Sequence, residues 1–334
     1  MKPGGPTRVA AVWYDKRSGI GAVDRALRGE LVGPAVALGV AAVAGFSTLF
    51  YSTRIEPYRF RLRRRTVCLA GLPPALNGLR ILHLSDFHIT RDDWRRVKAV
   101  LRFAAVEADL IAMTGDFVDA DDEAEAHLVA EVVGRFRAPL GKFAVLGNHD
   151  RFRRGGRRVF SVLRTVRFSL TGVEDRDPDL ISTMGLPHVG RLLAASDTRL
   201  LVNEACPLTL KGTRFWVVGV DDNHLGFNDL DAALAGVPAD EFRVLLAHSP
   251  TILPAAERAG IPLVLAGHTH GGQIRLPLIG AIAVGARRPA GDAGGLLPTR
   301  TGYIHISPGL GSSRSLPFRL GCPPEATLLE LVSA

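Results

Sequence analysis

Cysteine is scarce: three residues in 334, Cys68, Cys206 and Cys322, with no C-x-x-C pair among them. That excludes a disulfide framework, and the three read as free packing residues, compatible with a reducing compartment. Lysine is nearly as rare, with five against 36 arginines. Beyond residue 65 the chain has no net charge: 29 Lys/Arg meet 29 Asp/Glu. The formal charge of +8 therefore belongs to residues 1–65, which hold twelve basic and four acidic side chains. A uniformly basic nucleic-acid-binding body is excluded by that distribution, and no nucleic-acid partner is expected. There is no internal repeat. A composition of 47% hydrophobic and 22% charged residues excludes wholesale disorder, and the length allows one large domain or two small ones.

Charge is also missing from Leu31 to Thr53, LVGPAVALGVAAVAGFSTLFYST. About 20 helical residues cross a hydrocarbon core at about 1.5 Å each, so the stretch is long enough to span. It is soft, being rich in Ala and Gly, and cationic on both flanks. Ala42-Val43-Ala44 has the A-x-A form of a signal-peptide cleavage site, but the apolar run continues past it. The reading is an uncleaved anchor over 31–53, preceded by a cytoplasmic or flexible segment 1–30. A core helix or a cleaved signal are the alternatives. Residues 11–30 carry four Lys/Arg and residues 51–70 carry six, so the positive-inside bias puts the C-terminal body in the cytoplasm by two charges. Residues 54–77 read as a polybasic juxtamembrane segment with a first strand. Its run Arg59–Arg65 suits either an anionic leaflet or a solvated edge strand.

From residue 78 to 334 the pattern is short apolar runs stopped by polar clusters, which read as buried strands. Leu79–Leu84 ends in Ser85-Asp86-Phe87-His88. Ala108–Met113 ends in Thr114-Gly115-Asp116. Lys142–Leu146 ends in Gly147-Asn148-His149-Asp150. Arg214–Val220 ends in Asp221-Asp222, Phe242–Ala247 in His248-Ser249-Pro250, and Ile261–Ala266 in Gly267-His268-Thr269-His270. Helix-like segments at Asp92–Glu107 and Glu123–Phe136 separate the early ones, which is β-α-β spacing and an α/β fold. Late strands at Gly302–Ser307 and Ala326–Leu331 suit a second sheet packed on the first, with Ile279–Leu297 a loop insertion. Ligands of such sheets collect beyond the carboxyl ends of the strands, so the polar clusters should converge.

A single His at a strand end is more often a packing residue than a ligand, and a single Asp after Gly is more often a turn or cap. Seven oxygen and imidazole donors arriving in order are another matter: Asp86, His88, Asp116, Asn148, His248, His268 and His270. They exceed the needs of one divalent ion and suit two with Asp116 shared. No cysteine is among them, which excludes a tetrathiolate zinc site.

These blocks together resemble the calcineurin-like metallophosphoesterase superfamily over roughly residues 78–334. The tail Gly267–Gln273, with Pro308-Gly309-Leu310-Gly311 and Pro323-Pro324-Glu325, is similar to a bacterial branch of membrane-associated phosphodiesterases and UDP-2,3-diacylglucosamine pyrophosphohydrolases. The resemblance implies a four-layer α/β/β/α sandwich holding two divalent ions, Mn²⁺, Fe or Zn²⁺. It implies Asp86, His88 and His270 on one ion, Asn148, His248 and His268 on the other, and Asp116 on both. It implies hydrolysis of a phosphodiester or pyrophosphate by a hydroxide held between the ions. His149 would then serve the leaving group, and Asp150 would orient His149. Asp150 stands where much of the superfamily has Glu.

The anchor points to a membrane-associated or lipid-linked phosphoester as substrate; a soluble-nucleotide or broad-specificity phosphodiesterase and a non-catalytic metal-binding scaffold are the alternatives. Arg151, Arg153, Arg154, Arg157 and Arg158 follow the third block as either a solvated loop or a phosphate-pairing cluster. Asp221, Asp222, Asn223 and His224 are candidates for substrate contact rather than ligands.

Overall fold

The computed structural model describes residues 32–152, 185–281, 293–312 and 316–334. Segment 1–30, Arg153, Arg154, Arg157, Arg158 and most of the expected loop insertion lie outside them. The chain divides into two compact units, Met1–Phe50 and Tyr51–Ala334. The described part of the first is one helix, α1 (Val32–Phe50), uncharged throughout, with exposed apolar side chains such as Val36, Leu38 and Phe46. The helical stretch Val36–Tyr58, which takes in most of α1, is long and apolar enough to cross a membrane.

The body is built on fourteen strands among the described residues. In chain order they are β1 (Arg61–Leu69), β2 (Arg80–Leu84), β3 (Leu110–Thr114), β4 (Lys142–Val145), β5 (Thr198–Leu200), β6 (Glu204–Leu210), β7 (Thr213–Gly219), β8 (Phe242–Leu246), β9 (Leu263–Ala266), β10 (Arg275–Leu276), β11 (Gly280–Ala281), β12 (Gly295–Pro298), β13 (Tyr303–Ile306) and β14 (Glu325–Ser333). Two six-stranded mixed sheets result, in the orders β1-β14-β2-β3-β4-β5 and β12-β13-β9-β8-β7-β6, beside a small β10-β11 hairpin.

Side-chain alternation assigns the layers. Ile81, Leu110, Phe143, Val217, Val244 and Leu265 point into one apolar layer between the sheets. Leu82, Ile111 and Ala144 point to the other face of the first sheet, with Val100, Val129 and Leu193 of its covering helices. Val218, Leu245 and Val264 pack with Ala233 and Ala256 outside the second sheet. The order is helix, sheet, sheet, helix, the α/β/β/α sandwich expected. Each buried Val, Leu or Ile contributes about 1.5–3 kcal/mol, so the inter-sheet layer fixes how the two polar edges meet.

Two covering helices start where the sequence supplies a cap. Asp93 accepts from Arg96 N–H ahead of Trp94–Leu101, and Asp122 accepts from Glu125 N–H ahead of Glu123–Val133.

Two expectations need correcting. The last strand does not join the second sheet: β14 lies in the first, antiparallel to β2 and parallel to β1. Part of the expected loop insertion is a strand, since β12 pairs antiparallel with β13. The first strand expected within 54–77 is present: Arg61–Leu69 is the edge strand of the first sheet, paired with β14. Its outer half is solvated and its inner Val67 and Leu69 are buried.

Candidate metal centre

Three loops of the first sheet and two of the second meet at one edge. β2, β3 and β4 deliver Asp86 and His88, Asp116, and Asn148 and His149; β8 and β9 deliver His248, and His268 and His270. The turn after β2 is tied to the turn after β3 by Asp86 N–H to Gly115 O and His88 N–H to Asp116 O, each 3.0 Å. Backbone crosses between the sheets as well: His268 N–H donates to Asp86 Oδ1 at 3.0 Å, and Leu310 N–H to Ser85 O at 2.9 Å.

The local backbone is bent to achieve this. Asp86, His88, Asp116, His268 and His270 all have positive φ, between 43° and 70°. Non-glycine residues adopt that region at a cost of order 1–3 kcal/mol each, and such strain gathers at functional sites. Glycine clears the space around them. A Cβ on Gly267 would strike Ser85 Oγ and Asp86 Oδ2, and one on Gly147 would strike Asp116 Oδ1.

All seven expected donors come together. Asp86, His88, Asp116 and His270 bring one ligand atom each within 4.8 Å of one another, and so do Asp116, His248 and His268. Asn148 joins the second group, its Oδ1 3.0 Å from His248 Nε2 and 3.1 Å from His268 Nδ1. Asp116 belongs to both, with Oδ2 3.6 Å from His88 Nε2 and 3.3 Å from His248 Nε2.

Outer contacts aim the rings. His248 Nδ1 lies 2.8 Å from Thr114 O and His270 Nδ1 3.2 Å from Gly311 O. Donation to those carbonyls leaves each Nε2 as a bare lone pair directed inward, the arrangement by which proteins orient metal-binding imidazoles. His248 Nε2 then faces the oxygens of Asn148 and Asp116, acceptor against acceptor. Such a set repels itself unless a cation or proton sits among it, so these donors fit divalent metal.

The electrostatics of the bare protein say the same. Burial opposes charge on His248, yet the carboxylates of Asp116, Asp86 and Asp222 raise its pKa to about 10. Burial pulls Asp116 upward, but His248, His149 and His88 hold it well below the ordinary carboxylate range. Burial and adjacent imidazoles push His268 and His270 well below the usual histidine value.

His149 stands beside the centre, its ring 4.8 Å from that of His88. The expectation that Asp150 orients it is overturned. Both Asp150 oxygens accept from backbone N–H groups, Oδ1 from Phe117 and Val118 and Oδ2 from Asp116 and Gly147, at 2.8–3.2 Å. Its burial and the Asp116 charge push it up to about 7 despite those donors. Asp150 instead clamps the turns after β3 and β4 together. The residue facing His149 Nδ1 is Asp119, through its carbonyl at 3.1 Å and its carboxylate at 3.7 Å. The same carboxylate lies 3.2 Å from His88 Nδ1. Asp119 was missed from sequence; its signal was a second aspartate three positions after Asp116.

The other flagged residues separate. Arg151 does not face the centre. It makes a buried ion pair with Asp221 at 2.6 Å and lies over the Phe227 ring. Asp222 accepts from Leu225 N–H, and Asn223 braces Ser249 and Thr251. Of that quartet, Asp222 acts on His248 through its charge, and His224 lies against the centre with its ring 4.1 Å from that of His268.

The family model for calcineurin-like phosphoesterases matches residues 79–272, more than half of the chain. A bovine transmembrane protein with a metallophosphoesterase domain is 30% identical over 79% of this chain and 55% of its own length. The phosphodiesterase YaeI of Escherichia coli is 28% identical over 89% of this chain and 97% of its own. UDP-2,3-diacylglucosamine pyrophosphatase LpxG of Chlamydia muridarum is 25% identical over 74% of this chain and 80% of its own. With a divalent-metal donor set at the shared edge of a two-sheet sandwich, and that model matched across it, the chain belongs to the calcineurin-like phosphoesterase family and is a phosphoester hydrolase.

Proposed function

We propose that the chain is a dinuclear phosphodiesterase or pyrophosphohydrolase acting on a membrane-associated, lipid-linked phosphoester. The observation that carries the dinuclear reading is the sharing of Asp116 by two donor clusters. Asp86, His88 and His270 would hold one ion, Asn148, His248 and His268 the other, and Asp116 both. Such ions, when bound, would supply charge neutralisation for phosphoryl oxygens and a water acidified from 15.7 toward about 7.

The rest falls to the chain. His149 Nδ1 donates to Asp119 O, which turns Nε2 toward the reacting oxygen. Burial disfavours the His149 cation, but the charges of Asp116 and Asp119 outweigh it and raise its pKa. A histidine whose protonated form is favoured in this way is suited to donate to a leaving-group oxygen. The strained turns after β2, β3 and β9 hold the donors before substrate arrives, so little reorganisation is needed at reaction.

The lipid-linked substrate is supported by α1 and by the likeness to LpxG. A tethered enzyme meets membrane substrates at high effective concentration. The body is assigned to the cytoplasmic side on the arginine excess after α1; labelling of exposed Cys68 by a membrane-impermeant thiol reagent tests this.

Function is tested by p-nitrophenolate release from bis(p-nitrophenyl) phosphate after chelation and again after Mn²⁺ is restored. Recovery only with metal is expected; no turnover in either state leaves a metal-binding scaffold. A series of lipid-linked pyrophosphates, phosphoglycerides and soluble nucleotides then tests substrate class. A preference for soluble nucleotides overturns the lipid assignment.

A further inference from the structure

Among the described residues of the body, the large hydrophobic side chains that face solvent are Ile55, Trp94, Leu278 and Ile279, at 42%, 67%, 109% and 68% exposure. They are far apart in sequence, yet each sits on a piece of chain fastened to Tyr51–Tyr58, the stretch that follows α1. Ile55 lies within it. Trp94 opens a helix whose start is held there: Tyr58 donates to Asp93 at 3.3 Å, and the Arg95 guanidinium lies 4.0 Å over the Tyr58 ring. The β10-β11 hairpin is held through residues 319–321. Arg319 N–H donates to Ser52 O at 2.8 Å and Gly321 N–H to Glu56 Oε2 at 3.0 Å, while Arg275 N–H donates to Leu320 O at 2.7 Å.

The hairpin tip is unlike one made for water. Pairing of Leu276 with Gly280 leaves Pro277-Leu278-Ile279 as the turn. Solvated turns use Gly, Asn, Asp or Ser, and a residue with positive φ is usually Gly or Asn. Here Leu278 holds φ of +66° with its side chain wholly exposed. An aliphatic residue in that conformation has no folded-state contact to offset the strain.

We propose that Ile55, Trp94, Leu278 and Ile279 form a rim that dips into the bilayer beside the point where the chain leaves it. The occupant is the lipid interface because the chain runs into this rim from an apolar helix of spanning length. The composition agrees: a Trp, which favours the headgroup region, stands with aliphatic residues, and exposed Arg54 and Arg95 adjoin Ile55 and Trp94 to meet lipid phosphates. The hairpin also starts five residues after His270, so the rim sets the metal centre next to the leaflet. The proposal rests on α1 spanning the membrane and needs no catalytic assignment.

The test uses the full chain with Cys68→Ser, since Cys206 and Cys322 are buried. Single cysteines at Leu278→Cys, Val43→Cys in α1, and Lys211→Cys in the exposed β6-β7 turn carry an environment-sensitive dye. The protein is reconstituted in phosphatidylcholine–phosphatidylglycerol vesicles. At position 278 we expect quenching by nitroxide lipid and several-fold protection from aqueous iodide relative to position 211. Iodide access equal to that at 211 overturns the rim, as does protection without lipid quenching, which indicates a second copy of the chain. Lipid quenching at 43 but not at 278 overturns the rim alone; quenching at 278 but not at 43 removes the spanning helix on which the rim's placement rests and overturns the proposal.

Discussion

Two groups of buried imidazoles lie close together in this molecule, and they are built on opposite terms. At the strand edge, His88, His248, His268 and His270 surround Asp86 and Asp116 with lone pairs turned inward. One layer deeper, between the sheets, His83 on β2 and His305 on β13 face each other at 2.8 Å, with His83 Nε2 2.9 Å from Thr114 Oγ1. Among the described residues no carboxylate appears in the contacts of that pair, and burial lowers both pKa values, His305 to about 3. The pair is a neutral hydrogen-bonded brace. The edge group is a charged set that calls for cations. Burial is common to both, so what separates a metal-binding histidine from a structural one here is the company of carboxylates.

The sharpest way to break the contrast is to remove the shared carboxylate. Asp116→Ala should empty both halves of the edge group and abolish turnover, while the inter-sheet brace keeps the protein folded. Metal analysis of the purified variant together with circular dichroism checks this. A variant that retains two ions ends the shared role of Asp116.

His149→Ala should separate chemistry from metal binding within the edge group. Metal content is expected to stay at the wild-type level and turnover to fall about 10²-fold or more, the usual share of a positioned acid or base. Loss of metal would instead make His149 a ligand. A smaller effect is expected at Asp119, which touches His88 and His149 but no reacting group. Asp119→Asn keeps the carbonyl contact and removes the carboxylate, so turnover should fall about 10- to 100-fold. The alkaline limb of the pH–rate profile should move down with it, because His149 loses one of the charges that favour the protonated form it needs as an acid. An unmoved profile would show that Asp119 acts on metal affinity alone.

These residues also mark how far the sequence could be read. Strands β2, β3, β4, β7, β8 and β9, the two helices with aspartate caps and the convergence of seven polar residues were legible, because the strands and their polar ends rest on a local pattern: an apolar run, then Asp, Asn or His. Asp119 and Asp150 were not. Their partners are two rings and four backbone amides brought from separate turns, and Asp150 follows His149 in sequence while three of its four amide partners lie in the turn after β3. The pairing of Arg151 with Asp221 was hidden for the same reason, each having been flagged alone as a possible substrate contact. β14 was found as a strand but given to the wrong sheet, since a strand's sequence carries its burial and not its neighbour. The hairpin tip Pro277-Leu278-Ile279 reads as an ordinary apolar stretch until its exposure is known.

The smallest effect sharpens the comparison from the other side. His305 takes up a proton near pH 6.5 when unfolded and near 3 when folded. Between those values the unfolded chain binds protons that the folded brace refuses, so stability is intact above about pH 6.5 and falls as pH drops below it. The slope reaches at most about 1.4 kcal/mol per pH unit for one histidine. The charge of Arg65 adds to burial in disfavouring the His305 cation, so the brace cannot relieve the loss by protonating. His305→Gln leaves His83 a hydrogen-bonding neighbour and removes one titrating ring. Thermal melts of the full chain in detergent between pH 7 and 5 should show a shallower acid loss for the variant, with metal content and turnover at pH 7 unchanged. An equal slope would mean that His305 is protonated in the fold. The contrast between a brace that excludes charge and a centre that gathers it would then fail at its neutral end.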